Sequence, residues 1–263
     1  MSNWPYQIPG VYTETVGMDE TGDPLAWVLS FGTATTYGAW VSAGASFSRP
    51  MDGIFVHAHT SDTDAQRFMI CIAVGSGADA NIIVKDLWFP VSFYHDACVY
   101  WLPIKVPAGQ TLFAKMLTPN SGSKRIGLVG LSGNFPQPVG FSRCEGIGMD
   151  TTNCWPFSFT PAAASTITWN QVVSSTASRY GAMTIRDYYG SDNIGNGLSL
   201  LGIGAASAEQ RLFRWFSSKN RDYSWGSMDA VPLDIPASSR LSIAAYKDGT
   251  LGTRYCNLVG FVH

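Results

Sequence analysis

A chain that resembles itself at a fixed offset must build one unit more than once, and this sequence does so at about 130 residues. Leu102-Pro103-Ile104-Lys105-Val106-Pro107-Ala108 returns 129 residues later as Val231-Pro232-Leu233-Asp234-Ile235-Pro236-Ala237, and Leu112 then falls on Leu241. Gly127-Leu128-Val129-Gly130-Leu131 matches Asn257-Leu258-Val259-Gly260-Phe261 at an offset of 130. Val16-Gly17-Met18-Asp19 matches Ile147-Gly148-Met149-Asp150 at 131, with Glu14 on Glu145. Trp40 matches Trp169 and Ala73-Val74-Gly75 matches Gly202-Ile203-Gly204 at 129, while Trp88-Phe89 matches Trp215-Phe216 at 127. Landmarks in one order with so little drift imply tandem duplication, with domains at 1–135 and 136–263.

The repeated unit reads as all-β. Short apolar or alternating runs at 54–56, 68–74, 81–84, 111–117 and 126–131 are separated by turn clusters such as Ser61-Asp62-Thr63-Asp64, Gly75-Ser76-Gly77 and Pro107-Ala108-Gly109. The second copy has matching runs at 182–186, 198–203, 211–216, 241–246 and 255–262, and a short helix-like stretch at 205–211. Proline cannot donate to a sheet ladder, so Pro103/Pro107 and Pro232/Pro236 bracket edge segments or strands entering turns. Consecutive X-Pro units make Phe135-Pro136-Gln137-Pro138-Val139-Gly140 a stiff linker. The fold expected is therefore all-β: two tandem antiparallel jelly-roll-like β-sandwich domains from an internal duplication.

Composition narrows the function classes. Aromatic content is 13% and charged content only 14%, which suits filled β cores and surfaces covered by partners. The stretch to Leu131 holds seven basic and ten acidic residues, and the remainder ten and nine. Neither half has the basic field that would track a phosphate backbone, so nucleic acid is not expected as a partner. No apolar run approaches the ~20 residues of a membrane-spanning helix. Residues 1–10 lack the charged and apolar regions of a signal peptide, so the chain reads as cytosolically made. The odd set Cys71, Cys98, Cys144, Cys154 and Cys256 contains no C-x-x-C pair and reads as buried free thiols. Cys144 and Cys154 flank one loop and could pair in an oxidising compartment.

Catalysis leaves no signature. Nucleophile-elbow, P-loop, zinc-protease helix and dinucleotide-binding patterns are all missing, so no catalytic residue, cofactor or metal is expected and the chain reads as a non-enzyme. His57-x-His59 on a strand places both imidazoles on one face, with Asp62, Asp64 and His95 as further potential ligands. An exposed strand entering an acidic turn explains that pattern more simply. Aromatics are the one enriched binding chemistry. Trp88 and Trp215, matched by the repeat, read as core, whereas Tyr94, Tyr188 and Tyr189 lie in loop-like context and read as interface candidates. Trp4, Tyr6 and Ile8 on the proline-flanked N-terminal arm join them, because such an arm would expose apolar surface unless it docks.

One stretch resembles virion structural proteins of tailed bacteriophages. Ile72-Ala73-Val74-Gly75-Ser76-Gly77, the apolar Ile82-Ile83, Leu102-Pro103-Ile104-Lys105-Val106-Pro107-Ala108-Gly109 and Gln110-Thr111-Leu112-Phe113-Ala114-Lys115 follow that pattern over about 45 residues. The last element departs from it in having Gln110-Thr111 for Thr-Arg and Lys115 for the terminal Arg. The resemblance implies a virion β-sandwich and carries no catalytic residue. The expected roles are an outer capsid cement or decoration protein, or a tail fibre, spike or baseplate component binding host glycans; a carbohydrate-binding module or glycan-active enzyme is the remaining alternative. Expected partners are the major capsid protein or other virion proteins, further copies in a homo-oligomer such as a trimer, and a glycan, with a virion location after assembly in the host cytoplasm.

Overall fold

The computed structural model describes residues 10–18, 25–29, 35–60, 66–91, 98–119, 124–133, 140–161, 167–189, 197–217, 226–247 and 253–263. The chain divides into two compact units, Met1–Cys144 and Glu145–His263. The sequence-derived boundary at 135/136 lies outside the described residues. All the secondary structure among them is strand except one 3-10 turn, Asp79–Asn81.

Unit 1 contains β1 (Val11–Val16), β2 (Trp27–Leu29), β3 (Val41–Ser42), β4 (Gly53–Thr60), β5 (Gln66–Val74), β6 (Ile82–Val91), β7 (Cys98–Leu102), β8 (Leu112–Leu117) and β9 (Lys124–Gly133). Its first sheet runs β1-β9-β4-β7, with β2 also on β9, and its second pairs β6-β5-β8-β3. Leaving β2 aside, this is the strand order of a jelly roll. Alternation decides the inward face: Ile54, Val56 and Ala58 are fully buried, while Phe55 and His57 are half-buried and His59 is exposed. Residues 68–73 are buried on both faces, so the alternating signal vanishes there.

Unit 2 contains β10 (Arg143–Ile147, whose first two residues precede the unit boundary), β11 (Phe157–Phe159), β12 (Asn170–Val173), β13 (Tyr180–Tyr189), β14 (Gly197–Ile203), β15 (Gln210–Ser217), β16 (Gly226–Ile235), β17 (Leu241–Lys247) and β18 (Arg254–Val262). The order β10-β18-β13-β16, with β11 on β18, and β12-β17-β14-β15 repeats that of unit 1 strand for strand. Its core draws on both sheets, with Met183, Ile185, Cys256 and Leu258 facing Leu201, Trp215, Leu241 and Ile243.

The repeat extends to pairing register. All six β5–β8 pairs, from Met69↔Leu117 to Val74↔Leu112, become β14–β17 pairs on adding 129 to each number. All eight β4–β9 pairs become β13–β18 pairs at offsets of 129 and 130. Glycine spacing follows from this register. At Gly130 a Cβ would meet Met51, and at its counterpart Gly260 it would meet the Tyr180 ring; Met51 and Tyr180 are themselves 129 apart. Lys124 and Arg254, 130 apart, are both fully buried at the first position of the central strand.

Three sequence readings need correction. Residues 205–208 form a turn, not a helix: Ala208 N–H donates to Ala205 O at 3.0 Å, Ser207 has φ 67, and β15 begins at Gln210. The Trp88/Trp215 match does not hold in register. Trp88 lies opposite Met69, whose counterpart is Leu198, and Leu198 pairs with Phe216; Trp215 lies opposite Ser199 and so corresponds to Leu87. A one-residue slip exchanges the faces of a strand. Trp215 therefore fills the inter-sheet core, while Trp88 is buried on the other face of its sheet. The cause is an extra β-bulge in β6, which has register shifts at both Ile70/Ile72 and Ile72/Ala73 where β15 has one, at Leu201/Gly202. Third, Tyr188 and Tyr189 end β13, paired with Tyr255 and Arg254, rather than lying in a loop. The pairing of β18 alongside, and the β propensity of tyrosine, extend the strand to them.

The proline segments behave as edges, differently in each unit. β7 stops before Pro103, and Ile104 and Val106 make single bridges to Phe141 and Met51. β16 runs through Pro232 to Ile235. Both strands end their sheets.

Candidate functional site

The outer face of each second sheet carries a grouping of polar and aromatic side chains. In unit 1, Cys71 on β5 stands directly beside Lys115 on β8. The segment leading into β3 crosses this face and carries Tyr37 and Trp40. The Tyr37 hydroxyl donates to Asp86 Oδ1 at 2.6 Å, and the Cys71 thiol lies 3.8 Å from the same oxygen. The Lys115 ammonium sits 4.6 Å from the Trp40 ring centroid and 5.2 Å from that of Tyr37, and it bonds Asp79 Oδ1 at 2.5 Å.

Burial and neighbouring charges shift the titrating groups of this cluster. Burial first, and then the adjacent Asp86 charge, push the Cys71 thiol up to about 11. Burial, with Cys71 and Asp86 adding to it, lifts the Tyr37 phenol well above its ordinary value. The Lys115 hydrogen bond holds Asp79 below the usual carboxylate range. The Tyr37–Asp86 bond ties the segment before β3 to β6, and the Lys115–Asp79 bond ties β8 to the 3-10 turn. Asp86 sits in the left-handed region, φ 53, at the β6 bulge. Lys85-Asp86 interrupting an apolar run is the sequence signal that could have found it.

In unit 2 the Cys71–Lys115 pair becomes Leu200–Ala244. Trp169 lies over Gly202, where its ring leaves no room for a Cβ. Here Arg240 supplies the tie: Nε donates to Gln171 Oε1 at 2.9 Å, and Nη1 donates to Glu209 Oε1 at 2.7 Å and to Gly204 O at 3.2 Å. That guanidinium bond holds the Glu209 carboxyl below its usual value. Neither tie was legible, because its members are scattered over 70 residues or so of sequence.

The His57-x-His59 strand face is as expected, but the indole of Trp101 lies across Gly53 and packs at 4.8 Å on Phe55. Phe55 in turn is 6.5 Å from His57, whose imidazole burial pushes below its ordinary pKa. Asp62, Asp64 and His95 lie outside the described residues, and no metal-holding group of His, Cys, Asp or Glu occurs among those described. Trp4, Tyr6, Ile8 and Tyr94 also lie outside them, and for Tyr188 and Tyr189 only the backbone is described. All five cysteines are free thiols, Cys144 and Cys154 included. No helix among the described residues is long and apolar enough to cross a membrane.

No protein-family model matches the chain, and no curated protein matches it. Among solved structures, it is similar to the VP2 subviral particle of infectious bursal disease virus, at 12% identity and a TM-score of 0.25 over 83% of this chain. It spans 58% of that protein's length. It is also similar to the tandem CBM22-1–CBM22-2 domain of Paenibacillus barcinonensis Xyn10C, at 10% identity and a TM-score of 0.25, covering 97% of this chain and 92% of that one. The Gx strain of infectious bursal disease virus gives 10% identity and 0.28, over 97% and 71%. Likeness at this level does not carry function from one protein to another.

Proposed function

We propose that this chain is a structural protein of a virus particle, working through protein–protein contacts rather than turnover. The specific role we assign is an outer capsid cement or decoration protein of a tailed bacteriophage, docked on the major capsid protein and associated with further copies of itself. The observation that carries this reading is the repetition, within one chain, of a whole jelly-roll unit in the same register. Tandem duplication of one ancestral unit is the origin we infer for it. Two like units give one chain two like docking surfaces, which suits a protein bridging neighbouring subunits of a symmetric lattice. Jelly rolls recur in viral capsid and lectin domains. The low charged fraction, 14%, and the phage-like turn motifs favour the capsid member of that pair.

A second reading, a tail component binding host glycans, is favoured by the half-exposed Trp101–Phe55 pair, since aromatic rings present apolar faces with polar edges. Isotope-dilution mass spectrometry of purified particles tests both. Copies on the order of hundreds per particle support a shell protein and on the order of tens or fewer a tail component. Absence from the particle overturns both.

A further inference from the structure

We propose that the outer face of the second sheet of unit 2 is a basic docking surface for the acidic unit 1 of a second copy. This assigns a surface to the self-association proposed above, on which it rests. A bulge gathers the charge. Leu200 pairs with Arg214, Leu201 with Phe213 and Gly202 with Arg211, so Leu212 is the inserted residue of β15. In an unbroken strand residues three apart face opposite ways, but the insertion puts Arg211 and Arg214 on one face. That face is the outer one, because Leu201 and Trp215 fill the inter-sheet core and Leu212 and Phe213 pack against it. Both arginines are exposed, and neither has an ion pair among the described residues. Arg240 and Glu209, joined at 2.7 Å, neutralise one another and leave Arg211 and Arg214 uncompensated.

Unit 1 has a different surface at this place. The register counterpart of Arg211 is Ile82, opposite Ala73, and the Lys115 cation on the same sheet is bonded to Asp79. Its charge also has the opposite sign, with seven basic against ten acidic residues up to Leu131. Uncompensated guanidiniums attract carboxylates and repel like faces, which steers this surface toward an acidic partner and away from its own twin. Unit 1 of another copy is an acidic partner that the chain itself supplies. Contact between unlike units of successive copies is heterologous, so it closes into a ring or extends as a chain.

Sedimentation velocity of the full-length chain over a concentration series tests the surface. Self-association should weaken as salt rises from about 50 to about 500 mM, because screening shortens the reach of exposed charges. The double variant Arg211→Glu/Arg214→Glu should weaken it about tenfold or more in Kd, since each attraction becomes a repulsion. Lys85→Glu/Lys105→Glu makes the same net charge change at exposed positions of unit 1 and should not weaken it. Association that ignores the arginine reversals, or that falls equally with the lysine reversals, overturns the surface. A chain that stays monomeric at every concentration overturns it too, whereas the particle reading stands or falls on the mass spectrometry above. Arg211→Lys/Arg214→Lys keeps the charge and supplies amines for carbodiimide coupling to carboxylates. In a mixture of isotopically light and heavy copies, links from these lysines should reach acidic residues of unit 1. Links between copies that reach only unit 2 overturn the choice of partner.

Discussion

The two units share a jelly-roll order and a pairing register, yet they fill the same frame with different chemistry. At the centre of the second sheet, unit 1 has Ile70, Leu87 and Met116 where unit 2 has Ser199, Trp215 and Ala245. One large ring among small neighbours takes the place of three mid-sized side chains, a swap that preserves volume rather than identity. On the outer face the contrast is electrostatic. A cation under aromatic rings and a carboxylate hold unit 1, and a guanidinium bonded to a carboxylate and an amide holds unit 2. Register is therefore the quantity the two units share, and packing and polar ties are local solutions fitted to it.

The largest expected effect tests the core half of that comparison. Trp215→Ala should destabilise unit 2 by about 3–5 kcal/mol, because the cavity it leaves is flanked by residues already small. Trp215→Leu, which installs the residue of the register counterpart Leu87, should cost less, about 1–3 kcal/mol. Urea unfolding followed by hydrogen exchange in each unit measures both. A cost for Trp215→Ala below ~1 kcal/mol would break the assignment of Trp215 to the inter-sheet core.

A middle-sized effect sharpens the turn comparison. Gly109 and Ser238 occupy matching turn positions, with φ 67 and 61, and their N–H groups donate to Phe47 O and Thr176 O, each at 2.9 Å. Glycine adopts that region freely and serine does not. Gly109→Ser should cost about 0.5–1 kcal/mol and Ser238→Gly should gain about as much, the two changes having opposite sign. Thermal melts of the two variants settle it, and effects of the same sign would contradict the turn equivalence.

The smallest effect concerns acid. In unit 2 the Asp150 carboxylate accepts from Asn153 Nδ2 at 2.9 Å and from the N–H groups of Thr152 and Asn153 at 2.9 and 3.3 Å, which hold it below its usual pKa. A depressed carboxyl contributes stability above its unfolded value and loses it as the pH falls through the folded one, so the contribution should fade below about pH 4. The group is exposed, so the contribution is roughly a few tenths of a kcal/mol. Asp150→Asn should flatten that acid limb of the stability curve of unit 2 while leaving stability at neutral pH nearly unchanged. A limb as steep as in the wild type would remove Asp150 from the account.

The sequence by itself determined the all-β character, the period near 130 and most strand positions. Those rest on local chemistry and on order along the chain: alternation in 54–58, glycines at the turns, prolines at Pro103 and Pro232 that keep β7 and β16 at sheet edges. Only the tertiary structure decided which way side chains face where bulges intervene. Trp88-Phe89 and Trp215-Phe216 look equivalent as letters, but an extra bulge in β6 turns one tryptophan away from the core that the other fills. A period of two has no memory of an inserted residue until a neighbouring strand fixes the register. The ties on the outer faces were out of reach for a related reason. Tyr37 and Asp86 are 49 residues apart, and Gln171 and Arg240 are 69 apart. Their meeting depends on strand order, which is a property of the closed sandwich and not of any segment within it.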